Sequence, residues 1–490
     1  MAEYDLVVKN GQIVRPYAKS SEALEIGIRD GEIVRIGKDL DPGSGEVYDA
    51  EGLLVFPGAV DVHQHWGIYN SLEVDTATES RAAAQGGVTM GLTYIRTGQY
   101  YLNRGGSYAD FMPEVLERAG GKAYIDYGFH VAPMMQSHIT EIPALIQDFG
   151  IPSYKIFMFY GGHGLHGKSD DQSSFLMTPE GESYDVAHFE EVMRGIQAAR
   201  EQFPDMAENI TLSLHCESAE IMRSYTERVE RDASLSGLEA YSASRPGHSE
   251  GLAITTAAYL AHETGLSTIN LLHLSSAKAI ETAMLMADAF PEVDFRREAT
   301  VGHLLTSYET ASGLGGKVNP PLRSEKDRES LWRHVLAGDI DWIVSDHACC
   351  RDELKFSANS RDDVFLAKAG FGGAEYLLSG VFSEGSRRGL SPNRVAELIS
   401  ANPAKRYGLK RKGDIAPGKD ADLAILDPTK SFKVTASISE STQEYTPFEG
   451  LQLTGWIKDV FLRGRKVLSD GVVVGNPRGR FIRRPDSQKD

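Results

Sequence analysis

Six residues of metal-binding type sit in or just after apolar, strand-like runs, and together they have the makings of a site for divalent cations. His63 and His65 are two apart in Asp61-Val62-His63-Gln64-His65, so on a strand both side chains take the same face. Lys155 lies within the apolar run Ser153-Tyr154-Lys155-Ile156-Phe157, where an unpaired ammonium would carry a large desolvation penalty. His215 closes Leu212-Ser213-Leu214, His273 closes Asn270-Leu271-Leu272, and Asp346 closes Trp342-Ile343-Val344-Ser345. A lone histidine at a strand end is most often structural, and a lone Asp-His pair says as little. Six candidates in chain order, each carried by a strand, point instead to one shared site.

The elements that would position them follow a regular pattern. Strand-like runs occupy Ala59–His65, Val88–Ile95, Ala123–Ala132, Ser153–Phe159, Ile210–Glu217, Thr268–Leu274, Val293–Ala299 and Asp341–Asp346. Stretches with helical spacing of apolar residues separate them, for example Val186–Phe203 and Gly251–Glu263. Eight strands alternating with helices predict an α/β fold, a (β/α)8 TIM barrel, whose carboxyl-terminal strand ends meet at one mouth. An open doubly wound sheet is the alternative, but no glycine-rich dinucleotide turn follows the first strand. Both ends of the chain instead read as short strands and turns, with Asn10-Gly11 and Asp30-Gly31 as hairpin signals. The expected organisation is a barrel over 57–412 and a small β-sandwich built from 1–56 and 413–490.

Composition excludes several functions. The 490 residues carry a formal charge of −18, which argues against nonspecific binding of nucleic acid or anionic membranes. No apolar run is long enough to span a bilayer, and Met1 leads straight into a strand without a signal-like core. Only three cysteines occur, Cys216, Cys349 and Cys350, which is no disulfide framework and suits a reducing, cytoplasmic setting.

The motifs Val60-Asp61-Val62-His63-Gln64-His65, Ser153-Tyr154-Lys155-Ile156-Phe157-Met158, Leu272-His273-Leu274-Ser275-Ser276, Val318-Asn319-Pro320-Pro321-Leu322-Arg323 and Ser345-Asp346-His347-Ala348 resemble those of the amidohydrolase superfamily. The tail Lys412-Gly413-Asp414-Ile415-Ala416-Pro417-Gly418-Lys419-Asp420-Ala421-Asp422-Leu423 is similar too. The nearest branch is that of the cyclic amidohydrolases: dihydropyrimidinase or hydantoinase, allantoinase and dihydroorotase. That resemblance implies two divalent ions, His63, His65 and Asp346 holding one, His215 and His273 the other. Lys155, carboxylated by carbon dioxide, would bridge them. Zinc is the first expectation, and manganese, iron, cobalt and nickel suit the same ligands. The implied reaction opens a cyclic amide or imide ring by attack of a metal-bridging hydroxide. Asp346 would take the proton and return it to the leaving nitrogen. The resemblance also implies a homo-oligomer, tetramer or dimer, acting on a small molecule.

Other residues offer weaker signals. Tyr160 matches a tyrosine that hydantoinases use on the ring, and Asn319, before two prolines, offers backbone or side-chain contact to an imide edge. Arg96 closes the second strand as an anion contact, Trp66 beside the metal histidines suits a flat ring, and His303 lies just past the seventh strand. Each has a structural alternative in packing, turn or ion-pair chemistry. Gly162-His163-Gly164-Leu165-His166-Gly167-Lys168-Ser169 matches a phosphate-loop pattern, yet the acidic, aperiodic stretch after it reads as a surface loop. Cys349 and Cys350 read as small buried side chains.

Substrate identity is less legible. Dihydroorotases usually carry an arginine two positions after the second histidine, and Gly67 stands here, which ranks that activity below hydantoinase and allantoinase. A specialised catabolic cyclic-imide hydrolase fits as well. A non-catalytic assembly homologue would have lost strand-end ligands, and all six are kept. An acyclic amidase or deaminase would normally lack the lysine found at 155.

Overall fold

The computed structural model describes residues 3–161, 164–165, 175–356 and 361–486. Most of the phosphate-loop-like stretch 162–169 lies outside them.

Eight parallel strands form the barrel, in the order in which they occur along the chain. They span Ala59–Gln64, Val88–Ile95, Asp126–Val131, Ser153–Phe157, Thr211–His215, Thr268–Leu271, Asp294–Thr300 and Trp342–Val344. A parallel bridge from Gln64 to His347 and the bond from the His65 amide to the His347 carbonyl (2.8 Å) bring the last strand back to the first. The first six strands are buried along their whole length, which explains their near-continuous apolar runs. Inside the barrel, Tyr94 stacks on His130 at 4.3 Å, and His130 bonds the Val62 carbonyl at 2.9 Å and the Ser153 hydroxyl at 2.6 Å. This polar layer forms the floor beneath Lys155.

The β-rich chain ends join in one nine-stranded sheet beside the barrel. Its seam is the antiparallel pairing of Leu54–Pro57 with the start of Leu423–Lys433. Asp30-Gly31 makes the expected hairpin turn, with φ of 52° and 78°. Asn10-Gly11 does not: Leu6–Ile13 is one strand that bulges there. A Cβ at Gly11 would lie 2.6 Å from Val55, so the glycine serves close strand approach, with Asn10 left-handed at φ 56°.

A buried ion-pair cluster fixes the sheet to the barrel. Lys412 Nζ lies 2.6 Å from Asp126, 2.7 Å from Asp420 and 2.7 Å from Asp422. Asp126 begins a barrel strand, while Asp422 leads into the sheet, and Arg463 adds a second cation on Asp126. The lysine occupies the centre of these carboxylates, which makes the group an ion-pair core. Removing one partner of such a core strands buried charge. Lys412→Ala is expected to destabilise the fold by about 3–5 kcal/mol, read as a lower denaturant midpoint. An unchanged midpoint would show that the cluster does not hold the two parts together.

Candidate active site

The barrel brings all six candidate ligands to one mouth. His63 Nε2 lies 3.1 Å from Lys155 Nζ and 3.1 Å from Asp346 Oδ1, and His65 Nε2 lies 3.0 Å from the same carboxylate oxygen. The His273 ring is 5.4 Å from His63 and 4.3 Å from His215. Lys155 sits mid-strand beneath them, its amine over the Tyr94 ring at 4.1 Å and the Phe157 ring at 4.4 Å. His273 and Asp346 adopt positive φ, 34° and 54°, just past their strands. For residues with a side chain such backbone is strained by roughly 1–3 kcal/mol, and strain of this kind clusters at functional sites.

The electrostatics describe a collection of Lewis bases. Burial holds the imidazoles of His63, His65 and His273 below their usual range and His215 at about 4, so all four are neutral, the form that ligates metal. Burial also lowers Lys155 to about 7, and among the described residues no carboxylate pairs with it within 4 Å. Burial alone would raise the Asp346 carboxyl, but its close contact with His63 and its hydrogen bond with His65 hold it well below the usual carboxylate range. Among the described residues, His273 Nδ1 is buried without a hydrogen-bond partner. Neutral nitrogens and an anionic oxygen facing one another fit a divalent cation. His63, His273 and Asp346 each offer an atom within 4.8 Å of the others.

Three residues that sequence reasoning missed support these ligands. Glu298, in the seventh strand, bonds His63 Nδ1 at 2.7 Å and is held by Trp342 Nε1–H at 2.9 Å and the His273 amide at 3.1 Å. Burial pushes its carboxyl up to about 8. Glu217 takes the Nε2 side of His215 at 2.6 Å, which leaves Nδ1 to face the site. Tyr101 bonds His65 Nδ1 at 2.5 Å through its hydroxyl. Glu217 was readable, since it falls two residues after His215 on the same strand line. Glu298 was marked only by an acidic residue inside a strand. Tyr101 had no signal, because a turn with Tyr100 and Tyr101 both left-handed carries it in.

The cavity above the ligands has an apolar wall that includes Ile68, Phe159, Leu165, Val318 and Ala348. Of the five expected substrate contacts, Asn319 alone lines it. Both ends of its side-chain amide are already engaged: Oδ1 accepts from the Tyr241 hydroxyl, and Nδ2 donates to the Leu165 carbonyl at 2.8 Å. Tyr160 stacks on Phe157 at 4.8 Å, behind the wall. Arg96 is 1% exposed and enclosed by the rings of Phe175, Tyr160 and Tyr101 at 4.8, 5.0 and 5.4 Å. Trp66 points into the core beside Tyr127, because the residue after His65 takes the opposite face. His303 bonds Thr300 Oγ1 at 2.7 Å and the Pro320 carbonyl at 3.1 Å, so it braces the loop carrying Asn319. Cys349 and Cys350 are free and buried, and burial raises both thiols.

The chain resembles known proteins over almost its whole length. Residues 54–467 match the amidohydrolase family, and the chain belongs to it. It is 32% identical to an allantoinase of Rubrobacter xylanophilus, over 100% of this chain and 99% of that one. It is 30% identical to a D-hydantoinase of Geobacillus stearothermophilus, over 98% of this chain and 96% of that one. A solved D-hydantoinase (dihydropyrimidinase) from Thermus sp. superposes with a TM-score of 0.81 at 27% identity, over 98% and 99% of the two chains. The fold, the barrel with its appended sheet, is therefore the one expected.

Carboxylates behind metal histidines tune affinity, and losing one typically costs about 10–100-fold. Glu298→Gln is expected to weaken divalent-metal retention by about that factor, measured as metal per chain after dialysis against graded chelator. Retention equal to wild type would show that Glu298 does not orient His63.

Proposed function

We propose that the protein is a binuclear-metal hydrolase that opens a cyclic amide or imide ring, with hydantoins and dihydropyrimidines as the first substrate class. The observation that carries this reading is the convergence of four neutral imidazoles, the Asp346 carboxylate and a buried lysine without a carboxylate partner among the described residues at one barrel mouth. His63, His65 and Asp346 would hold one ion, and His215 and His273 the other, with zinc the first candidate and manganese, iron, cobalt or nickel compatible. When bound, such ions supply positive charge that polarises a carbonyl and lowers the pKa of water.

Lys155 fits the bridging role by its own chemistry. A neutral amine attacks carbon dioxide and loses a proton, leaving a carbamate with two ligand oxygens. Burial holds Lys155 at about 7, so a large share of it is neutral near neutral pH. Conversion to a carbamate also removes the ammonium whose burial would be costly. Asp346, ionised and touching both histidines, stands where it can accept the proton of the attacking water and pass it to the ring nitrogen. Asn319 meets the substrate through its main chain, because its side-chain amide is committed elsewhere.

The apolar wall favours rings with hydrophobic substituents. Allantoinase activity is the second reading, carried by the full-length likeness to an allantoinase, and the polar ureido arm of allantoin suits this wall less well. Among the described residues, neither Gly67, which has no side chain, nor Arg96, which lies behind aromatic rings, supports recognition of a ring carboxylate. The barrel spans 57–412 in this reading, with 1–56 and 413–490 contributing the appended sheet and a carboxyl-terminal tail. The reading also carries a cytoplasmic setting and a dimer or tetramer. The free cysteines agree with a reducing compartment, and among the described residues no helix is long and apolar enough to cross a membrane.

The test is ring opening followed by ultraviolet absorbance on dihydrouracil, hydantoin, a phenyl-substituted hydantoin, allantoin and dihydroorotate. Wild type is expected to open at least one ring, hydantoins ahead of allantoin. Lys155→Ala is expected to fall to background, and chelation of wild type to abolish activity reversibly. Full activity in Lys155→Ala would sink the bridging role, and a metal-loaded wild type silent on every ring would sink the substrate class.

A further inference from the structure

One hydrogen-bonded chain runs from a metal-site histidine to the wall of the cavity. His215 Nε2 bonds Glu217 Oε2 at 2.6 Å. Arg245 grips the same carboxylate in a fork, Nε to Oε1 at 2.9 Å and Nη2 to Oε2. Arg245 Nη1 then donates to the Tyr241 hydroxyl at 3.2 Å, and that hydroxyl donates to Asn319 Oδ1. Asn319 Nδ2 ends the chain on the Leu165 carbonyl. Every side chain from His215 to Tyr241 is less than 5% exposed, so these bonds compete little with water.

Donor and acceptor roles leave little freedom along it. Arg245 has only N–H donors, so the tyrosine oxygen must accept from it, and the single tyrosine hydrogen must go to Asn319. That fixes the Asn319 amide with oxygen toward Tyr241 and nitrogen toward Leu165. Ion pairing with Glu217 keeps Arg245 in place, and Arg245 in turn holds the Glu217 carboxyl below its usual range against the opposing effect of burial. Lys317 Nζ lies 4.6 Å over the Tyr241 ring and packs on the other side of the phenol.

We infer that Tyr241 is a positioning residue that sets substrate preference: it locks Asn319, and through Asn319 it holds Leu165 as part of the apolar wall against the ring substituent. The inference rests on the cyclic-amide reading for its kinetic arm alone. Tyr241 does not line the cavity, and its effect passes through the residues it orients.

The variant is Tyr241→Phe, which removes one oxygen and keeps the ring in its packed place. For a phenyl-substituted hydantoin, KM is expected to rise about tenfold, the scale of one lost buried hydrogen bond, with kcat within about twofold of wild type. For unsubstituted hydantoin both constants are expected to stay within about twofold, because no substituent reaches Leu165. Metal per chain is expected to equal wild type, since Glu217 and Arg245 remain paired. Equal loss on both substrates, or loss in kcat alone, would overturn the inference. Crystal structures of both proteins without substrate give a readout independent of activity. Rotation of the Asn319 amide with displacement of Leu165 by about 1 Å or more supports the strut, and an unmoved pair overturns it. Should wild type open no ring, the cyclic-amide reading fails, and the two crystal structures still decide the strut.

Discussion

The site depends on the burial of Lewis bases that cannot all be satisfied by one another. His63 Nε2 lies within hydrogen-bonding range of both Lys155 and Asp346, yet His63 Nδ1 is already taken by Glu298, and Lys155 has no carboxylate partner within 4 Å among the described residues. A protein interior tolerates such a set poorly unless a cation is shared by it. The left-handed backbone at His273 and Asp346 adds to the cost and turns both side chains toward the others. The barrel supplies the rigidity, because its strand ends are tied by neighbouring strands and cannot relax independently.

Around this centre the protein divides support from contact. Acidic side chains stand behind imidazoles at two places, Glu298 behind His63 and Glu217 behind His215, and a phenol stands behind His65. Each fixes which ring nitrogen faces the site. The cavity itself is mostly hydrocarbon above a polar floor, an arrangement that selects by shape rather than by many polar contacts. His303 and Tyr241 belong to the supporting set: both act on the Asn319 loop, one from Pro320 and one from the amide.

Much of this is legible in the order of the amino acids. The period-two spacing of His63 and His65, and ligand types carried by five strands, mark the mouth of a barrel, because a strand's geometry maps sequence spacing directly onto a face. All eight barrel strands can be read off the chain, with ends shifted by a few residues. Asn10-Gly11 misleads, since the same dipeptide serves a bulge as well as a turn, and only the nearness of Val55 decides between them. Trp66 misleads in a different way. Its neighbour His65 faces the site, and alternation turns the indole into the core. Arg96 does stand at a strand end, but three rings from other segments enclose it, and such contacts have no local signature. Tyr101 and Tyr241 reach the site through tertiary contacts and are invisible for the same reason.

The seam between Leu54–Pro57 and Leu423–Lys433 pairs two segments that a growing chain makes on either side of the barrel. As it leaves the ribosome, the amino-terminal half of the sheet lacks its central neighbour, which is made only after the whole barrel. Until then Leu54–Pro57 presents an open edge, and the pairing that covers it closes a loop as long as the barrel itself. Long-range pairing of this kind is slow to form. The sheet is thus a clasp whose two halves flank the barrel in the chain, and it can fasten only after the barrel sequence has been made.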